Sequence, residues 1–118
     1  MMTRRMLIVE DELDIVDCLR EFFSLRGFSV ASTFSGEEAL TWLKERSVDI
    51  ILLDILLPGV TGIEVLKRVK ALYPHARVVM VTALDDVSLR EEAERYGAYA
   101  FITKPFDFSD GSWDAVLR

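Results

Sequence analysis

Five short apolar runs recur along the chain, and longer segments with a helical spacing of apolar residues separate them. The runs cover residues 6–9, 28–31, 50–53, 78–81 and 100–102. The first, third and fourth runs are continuous and contain β-branched residues, which is typical of strands buried on both faces. The pattern therefore predicts five strands of a parallel sheet.

The first two spacers and the one after the third run carry clear helix signals. Apolar residues recur every three or four positions from Leu13 to Phe23, and Gly27 follows as a predicted helix end. Ser35 and Thr61 each precede a glutamate by three residues, which is the spacing of a capping box. These signals predict helices after the first, second and third strands.

The last two helices are predicted to be weaker. The fourth, over residues 86–96, has few apolar anchors and ends before Gly97. The fifth is short, with Asp107 as its predicted cap, and its predicted core-facing residues are Trp113, Val116 and Leu117. Five strand–helix repeats with right-handed crossovers predict an α/β fold, a doubly wound five-stranded parallel sheet with five helices. In such sheets the functional site lies at the carboxyl ends of the strands.

Composition narrows the classes of function. The 118 residues fit a single domain over residues 1–118, with 51% hydrophobic and 29% charged residues. Cys18 is the one cysteine, so we expect no internal disulfide, a buried cysteine in the first helix and a cytoplasmic location. A net charge of −6 argues against direct nucleic-acid binding. No apolar run is long enough for a membrane helix, and the basic start of the chain lacks the apolar region of a signal peptide.

Chemically capable side chains follow four of the five predicted strands. They are Glu10, Asp11 and Glu12 after the first, Asp54 after the third, Thr82 at the end of the fourth, and Lys104 with Pro105 after the fifth. Each has an ordinary interpretation alone, such as a helix-dipole acid, a turn residue or a solvated lysine. Together at one sheet edge they predict a site, because clustered carboxylates need a cation such as Mg²⁺. Aspartate can be the nucleophile of phosphoryl transfer, which also needs positive charge around the phosphoryl oxygens.

Four segments in combination resemble a known family. They are residues 7–12 (Leu-Ile-Val-Glu-Asp-Glu), 53–62 (Leu-Asp-Ile-Leu-Leu-Pro-Gly-Val-Thr-Gly), 81–83 (Val-Thr-Ala) and 101–106 (Phe-Ile-Thr-Lys-Pro-Phe). The chain resembles the receiver domain of two-component response regulators over about residues 5–110. The resemblance implies a flavodoxin-like (βα)5 fold.

The resemblance implies a phosphoacceptor with a metal beside it. Asp54 matches the phosphoacceptor. Glu10, Asp11, Asp54 and the backbone carbonyl of Leu56 match the groups that hold Mg²⁺, for which Mn²⁺ can substitute. Glu10 stands where the family more often has aspartate.

Further residues match the parts that sense the phosphoryl group. Thr82 and Ala83 match the phosphate-binding switch segment, Lys104 matches the lysine that neutralises the phosphoryl group, and Phe101 matches the aromatic switch. The resemblance also implies a cis peptide bond before Pro105.

The implied activity is signalling. The phosphoryl donor is a sensor histidine kinase or a phosphotransfer protein, and the domain catalyses only its own phosphorylation and dephosphorylation. Phosphorylation changes the face of helix four, strand five and helix five, which controls an output domain or a downstream protein. A homodimer through this face stays open. Tyr99 and Ala100 stand where regulators with winged-helix outputs carry acidic residues.

One expectation concerns the lifetime of the phosphoryl group. In the family, the residues two positions beyond the phosphoacceptor and beyond the switch hydroxyl flank the path of the hydrolytic water. Here these residues are Leu56 and Leu84, and two bulky apolar side chains predict slow dephosphorylation.

Several alternatives stay open from the sequence. The chain is either a small stand-alone receiver or the N-terminal part of a longer regulator. A receiver-like interaction module that is not phosphorylated is the main rival function. An aspartate-dependent phosphohydrolase would need an acid where Leu56 stands. A flavodoxin-like binding module would need a phosphate loop where Glu10, Asp11 and Glu12 stand.

Overall fold

The computed structural model describes residues 3–109 and 111–118, in which strands and helices alternate along the chain. The strands are β1 (Arg5–Val9), β2 (Ser29–Thr33), β3 (Ile50–Leu53), β4 (Arg77–Thr82) and β5 (Ala100–Thr103). The helices are α1 (Leu13–Ser24), α2 (Gly36–Leu43), α3 (Gly62–Leu72), α4 (Val87–Arg95) and α5 (Asp114–Leu117). All strand pairs are parallel, in the order β2-β1-β3-β4-β5. The predicted fold class is confirmed.

Helices cover both faces of the sheet, which explains why its central strands are continuously apolar. β1, β3 and β4 bury nearly every residue. One core lies between the sheet and helices α2, α3 and α4, and the other lies between the sheet and helices α1 and α5. Alternate residues of these three strands therefore enter opposite cores, and none of the three needs a polar face.

The predicted caps fix where α2 and α3 begin. The Ser35 hydroxyl accepts a hydrogen bond from the Glu38 amide at 3.1 Å, and the Thr61 hydroxyl accepts one from the Glu64 amide at 3.3 Å. Each bond satisfies an amide that has no partner within its helix. The two predicted helix starts are confirmed.

Two expectations about α1 are wrong. Cys18 is exposed, and Leu13 is 59% exposed, although both were expected on the apolar face. The buried residues of α1 are Val16, Leu19 and Phe23. Cys18 lies two positions from Val16, which places it more than half a turn around the helix and away from the sheet.

The segment before α5 also differs from expectation. Asp107 does not cap the helix, because its carboxylate accepts hydrogen bonds from the amide and hydroxyl of Ser109 in a local turn. The backbone at Gly111 has a φ of +85°, so α5 begins only at Asp114. Asp110, which is part of the same predicted tail, lies outside the described residues. The predicted inward positions hold, since Trp113 and Val116 are buried.

Within the described part of the chain, no helix has the length and apolar character needed to cross a membrane.

Candidate functional site

The parallel register brings the strand ends together and fixes the backbone of the residues that follow them. The Glu10 amide donates to the last carbonyl of β2 at 3.1 Å, and the Asp54 amide donates to the last carbonyl of β1 at 3.2 Å. The Lys104 amide donates to the carbonyl of Thr82 at 2.7 Å. Each of these residues therefore continues the sheet ladder by one position, which holds its side chain at one edge.

Lys104 is the centre of the site. Its Nζ donates to Oδ2 of Asp54 at 2.9 Å and forms a close ion pair with Oε1 of Glu10. Oε1 of Glu12 lies 3.4 Å from the same nitrogen. The side chains of Lys104, Glu10 and Asp54 are at most 8% exposed, whereas that of Glu12 is 64% exposed. One ammonium group thus serves two buried carboxylates and a third at the rim.

The charges of this cluster do not balance. Burial raises the pKa of Glu10 to about 7, and the charge of Asp54 adds to the rise although the hydrogen bond from Lys104 opposes it. Burial alone would lower the pKa of Lys104, but its hydrogen bonds with Glu10 and Asp54 outweigh burial and raise that pKa. The raised pKa of this carboxyl group indicates that the site lacks positive charge to stabilise the ionised form.

The donor set fits a hard divalent cation. Carboxylate oxygens of Glu10, Glu12 and Asp54 lie within 4.8 Å of one another. Such all-oxygen sets suit Mg²⁺, and a second cationic group would relieve the charge imbalance at Glu10. Asp11 is exposed and stands outside this group, with its amide donating to Oε2 of Glu10 at 3.0 Å.

Glu12 is the residue that the sequence interpretation left out of the metal set. The only signal for it was its position two residues after Glu10, just ahead of α1. Its amide also lies 3.5 Å from Oε2 of Glu10. The turn into α1 therefore brings both glutamates to Lys104.

The remaining predicted residues lie around this cluster. The Leu56 amide donates to Oδ1 of Asp54 at 3.0 Å. Thr82 is fully buried, and its hydroxyl accepts from the amide of Leu84 at 3.3 Å. Ala83 is exposed next to it, and the peptide bond between Lys104 and its proline is cis.

Phe101 lies near the start of β5, three residues before Lys104, and is half-buried. The guanidinium group of Arg90, from α4, lies 4.9 Å from the centre of its ring. The ring is thus placed between the sheet and α4.

This arrangement agrees with a family comparison. The family model of the response regulator receiver domain matches residues 6–112. The chain belongs to this family.

Individual relatives differ in how much of their length the receiver domain spans. This chain is 36% identical to sporulation initiation phosphotransferase F of Bacillus subtilis, over 100% of this chain and 94% of that protein. It is 40% identical to a cyclic di-GMP phosphodiesterase of Thermotoga maritima, over 84% of this chain but only 26% of the relative. Similar domains thus occur almost alone and as parts of larger proteins.

Solved structures show the same fold. The receiver domain superposes on a CheY-like receiver from Methanospirillum hungatei JF-1 with a TM-score of 0.86 at 28% identity, covering 90% of this chain and 85% of the other. A chain of the CheX-CheY-BeF3-Mg+2 complex from Borrelia burgdorferi matches with a TM-score of 0.84 at 36% identity, over 88% and 80% of the two chains.

Proposed function

We propose that this receiver domain accepts a phosphoryl group on the carboxylate of Asp54 from a phosphohistidine of a sensor histidine kinase or a phosphotransfer protein. The observation that carries the proposal is the position of Asp54. Its side chain is buried at the end of β3, with Oδ2 2.9 Å from the Lys104 ammonium and Oδ1 3.0 Å from the Leu56 amide. These two donors hold the carboxylate in one orientation, which supports its proposed role as the nucleophile.

The transfer step uses groups that the strand ends supply. A carboxylate oxygen of Asp54 attacks phosphorus, the bond from phosphorus to the imidazole nitrogen breaks, and that nitrogen keeps the electron pair. The donor leaves as a neutral imidazole when its other ring nitrogen carries a proton. Lys104, the Thr82 hydroxyl and the Ala83 amide stabilise charge on the phosphoryl oxygens. The phosphoryl oxygens would accept a hydrogen bond from the Lys104 ammonium and so compete with Glu10 for it.

The donor set would hold Mg²⁺, or Mn²⁺ in its place. Glu10, Asp11, Asp54 and the Leu56 carbonyl are the proposed ligands, and the placement of Glu12 adds a fifth candidate. The bound cation supplies positive charge to the phosphoryl oxygens. Because Asp11 stands at the rim, its carboxylate would turn inward on binding.

The proposed output is a change of the face made by α4, β5 and α5. α4 packs weakly on the sheet, since Ala93 is its one buried residue, and this weak packing supports the proposal. Thr82 would turn toward the phosphoryl group and Phe101 would follow into the space beside it. The changed face would control an output domain, a downstream protein or a second copy of this domain. We place this reaction in the cytoplasm, as the single cysteine predicts.

Intact-mass spectrometry after incubation with acetyl phosphate and Mg²⁺ tests the proposal. The unaltered domain should gain one phosphoryl group, and EDTA should prevent the gain. The variant Asp54→Ala should gain none. The matched control Asp17→Ala, which removes an exposed aspartate of α1, should react like the unaltered domain.

No phosphoryl gain in a folded domain that binds Mg²⁺ would contradict the proposal. That outcome would leave the fold intact and favour an interaction module that works without phosphorylation. A gain that persists in Asp54→Ala would place the acceptor on another residue.

A further inference from the structure

The loop between β3 and α3 connects the proposed nucleophile to a proposed metal ligand. We call residues 55–61 the acceptor loop. Its start is tied by the hydrogen bond from the Leu56 amide to Asp54, and its end by the Gly62 amide, which donates to the Ile55 carbonyl at 3.0 Å. Between these two ties lie the Leu56 carbonyl and the exposed turn around Gly59.

A side chain from a different element holds the tip of this loop. Oε1 of Glu37, in the first turn of α2, accepts a hydrogen bond from the Val60 amide at 2.8 Å. The two residues are 23 positions apart in sequence. The hydrogen bond from the Val60 amide is also the largest cause of the lowered pKa of the Glu37 carboxyl group. The bond therefore favours the charged carboxylate.

Glycines on both sides allow the approach. Gly59 has a φ of +74°, and a Cβ there would lie 2.5 Å from Oε1 of Glu37. A Cβ on Gly36 would lie 3.2 Å from the Val60 carbonyl oxygen and 2.5 Å from the Val65 side chain. A side chain at Gly59 would therefore displace the Glu37 carboxylate, and one at Gly36 would crowd Val65 and the backbone of the acceptor loop.

The ordinary role of an acid at this place would be to support the start of α2. The neighbouring Glu38 already serves there, because its amide bonds to Ser35 and its carboxylate lies 3.4 Å from the Phe34 amide. The Glu37 carboxylate also interacts with its own amide and with Ser35 at the start of α2, but its largest interaction is with the Val60 amide of the acceptor loop. Its contact thus adds something that capping does not require.

We infer that Glu37 is a positioning residue: it holds the acceptor loop so that the Leu56 carbonyl faces the metal site. The inference rests on the proposed function, because it assumes that this carbonyl binds Mg²⁺. Mg²⁺ demands nearly octahedral geometry and tolerates a displaced ligand poorly. Groups that orient a ligand from behind typically contribute 10–100-fold to metal affinity.

Titration of the ¹⁵N-labelled domain with Mg²⁺, followed by amide chemical shifts, tests the inference. Glu37→Ala should raise the dissociation constant for Mg²⁺ about tenfold. Glu37→Gln should stay close to the unaltered domain, because its amide oxygen can still accept from Val60. Glu38→Ala is the matched control, since it removes the same charge from the same turn of α2 without touching the loop.

Two further readouts separate positioning from general loss of structure. The Val60 amide should exchange its hydrogen faster in Glu37→Ala, while amides of the central strand β3 keep their protection. In phosphorylation by acetyl phosphate, the Mg²⁺ concentration at half-maximal rate should rise by the same factor, and the rate at saturating Mg²⁺ should change little. A structural defect would instead lower the saturating rate.

The outcomes distinguish this inference from the proposed function. A Mg²⁺ dissociation constant of Glu37→Ala equal to that of Glu38→Ala overturns the inference, even if the domain is phosphorylated normally. Failure of the unaltered domain to bind Mg²⁺ overturns it as well. If the domain binds Mg²⁺ but takes no phosphoryl group, the proposed function fails, and the role of Glu37 is still decided by the binding constants.

Discussion

The Lys104 ammonium is in contact with Glu10 and Asp54 at once, and both carboxylates are buried. Two buried acids around one base would be unfavourable in a purely structural ion pair, because desolvation of the second acid is not repaid. The raised pKa of Glu10 is consistent with this, because burial disfavours its charged form. At the scale of single residues, the cluster therefore holds more acidic than basic groups, which is the reason we expect it to bind a cation.

The lifetime of the phosphoryl group is predicted from two leucines. Leu56 is 53% exposed at the site, and Leu84 is half-buried beyond the switch hydroxyl. Neither side chain can orient a water or take its proton. The double variant Leu56→Asn, Leu84→Glu should lose its phosphoryl group faster, by tenfold or more, because a positioned polar group assists water attack.

The decay is measured by intact mass at timed intervals after the phosphodonor is removed. Leu72→Asn serves as control, because Leu72 is 64% exposed at the end of α3, away from the site. Equal decay rates in the double variant and the unaltered domain would show that these positions do not govern hydrolysis.

Prediction of the site from sequence depended on strand ends. Glu10, Asp54 and Lys104 could be found because each directly follows a strand of the sheet, and parallel strands bring such positions to one edge. The same argument named Glu12 but gave no reason to include it in the metal set, and it gave no signal for Glu37. Their contacts depend on how the turn into α1 and the loop before α3 are folded, and local spacing does not determine such loops.

At the scale of elements, strands and caps were predictable for a different reason than helix faces. A strand buried on both sides leaves a continuous apolar run, and a cap is a local hydrogen bond. Which side of α1 faces the sheet depends on packing, so Cys18 was placed on the wrong side. The start of α5 was also misplaced, because Asp107 forms its own turn with Ser109.

The start of α3 packs directly against the backbone of Asp54, the proposed nucleophile. A Cβ on Gly62 would lie 2.1 Å from the carbonyl oxygen of Asp54 and 2.6 Å from Cα of Ile55. Both are backbone atoms that cannot rotate away. Gly62 is the first residue of α3, so the gain in helix propensity that alanine gives in a helix interior does not apply in full. Overlap in a packed region typically costs about 1–3 kcal/mol.

We therefore expect Gly62→Ala to lower the free energy of unfolding by about 1–3 kcal/mol and to slow phosphorylation by acetyl phosphate. Gly27→Ala is the comparison: its φ is +89° with no atom within 4 Å of the added Cβ, so it should cost about 1 kcal/mol through backbone strain alone. Its phosphorylation rate should be unchanged. Urea denaturation and timed mass measurements give both quantities, and normal phosphorylation of Gly62→Ala would contradict the prediction.

At the scale of the whole molecule, metal binding and folding should be linked. The carboxylates of Glu10, Glu12 and Asp54 come together only when β1 and β3 are paired, so the unfolded chain has no comparable site. A ligand at 100 times its dissociation constant then adds about 2.7 kcal/mol to the free energy of unfolding.

Thermal unfolding followed by circular dichroism should show this rise with Mg²⁺. NaCl at matched ionic strength should produce a much smaller change, because it only screens the acidic surface. Asp54→Ala should lose most of the Mg²⁺ effect. A similar rise in the salt control would mean that general screening, rather than a specific site, stabilises the domain.

The aromatic packing around α5 makes Trp113 an intrinsic fluorescence probe. Trp113 is 1% exposed, its ring centre lies 5.1 Å from that of Phe106, and Phe106 is two residues from Lys104. Among the described residues, its indole nitrogen has no hydrogen-bond partner. An indole in such dry surroundings emits at short wavelength and responds to small movements of its neighbours. With Trp42 replaced by phenylalanine, the fluorescence of Trp113 would report changes at Lys104 without an added dye. Stopped-flow mixing would follow these changes in time.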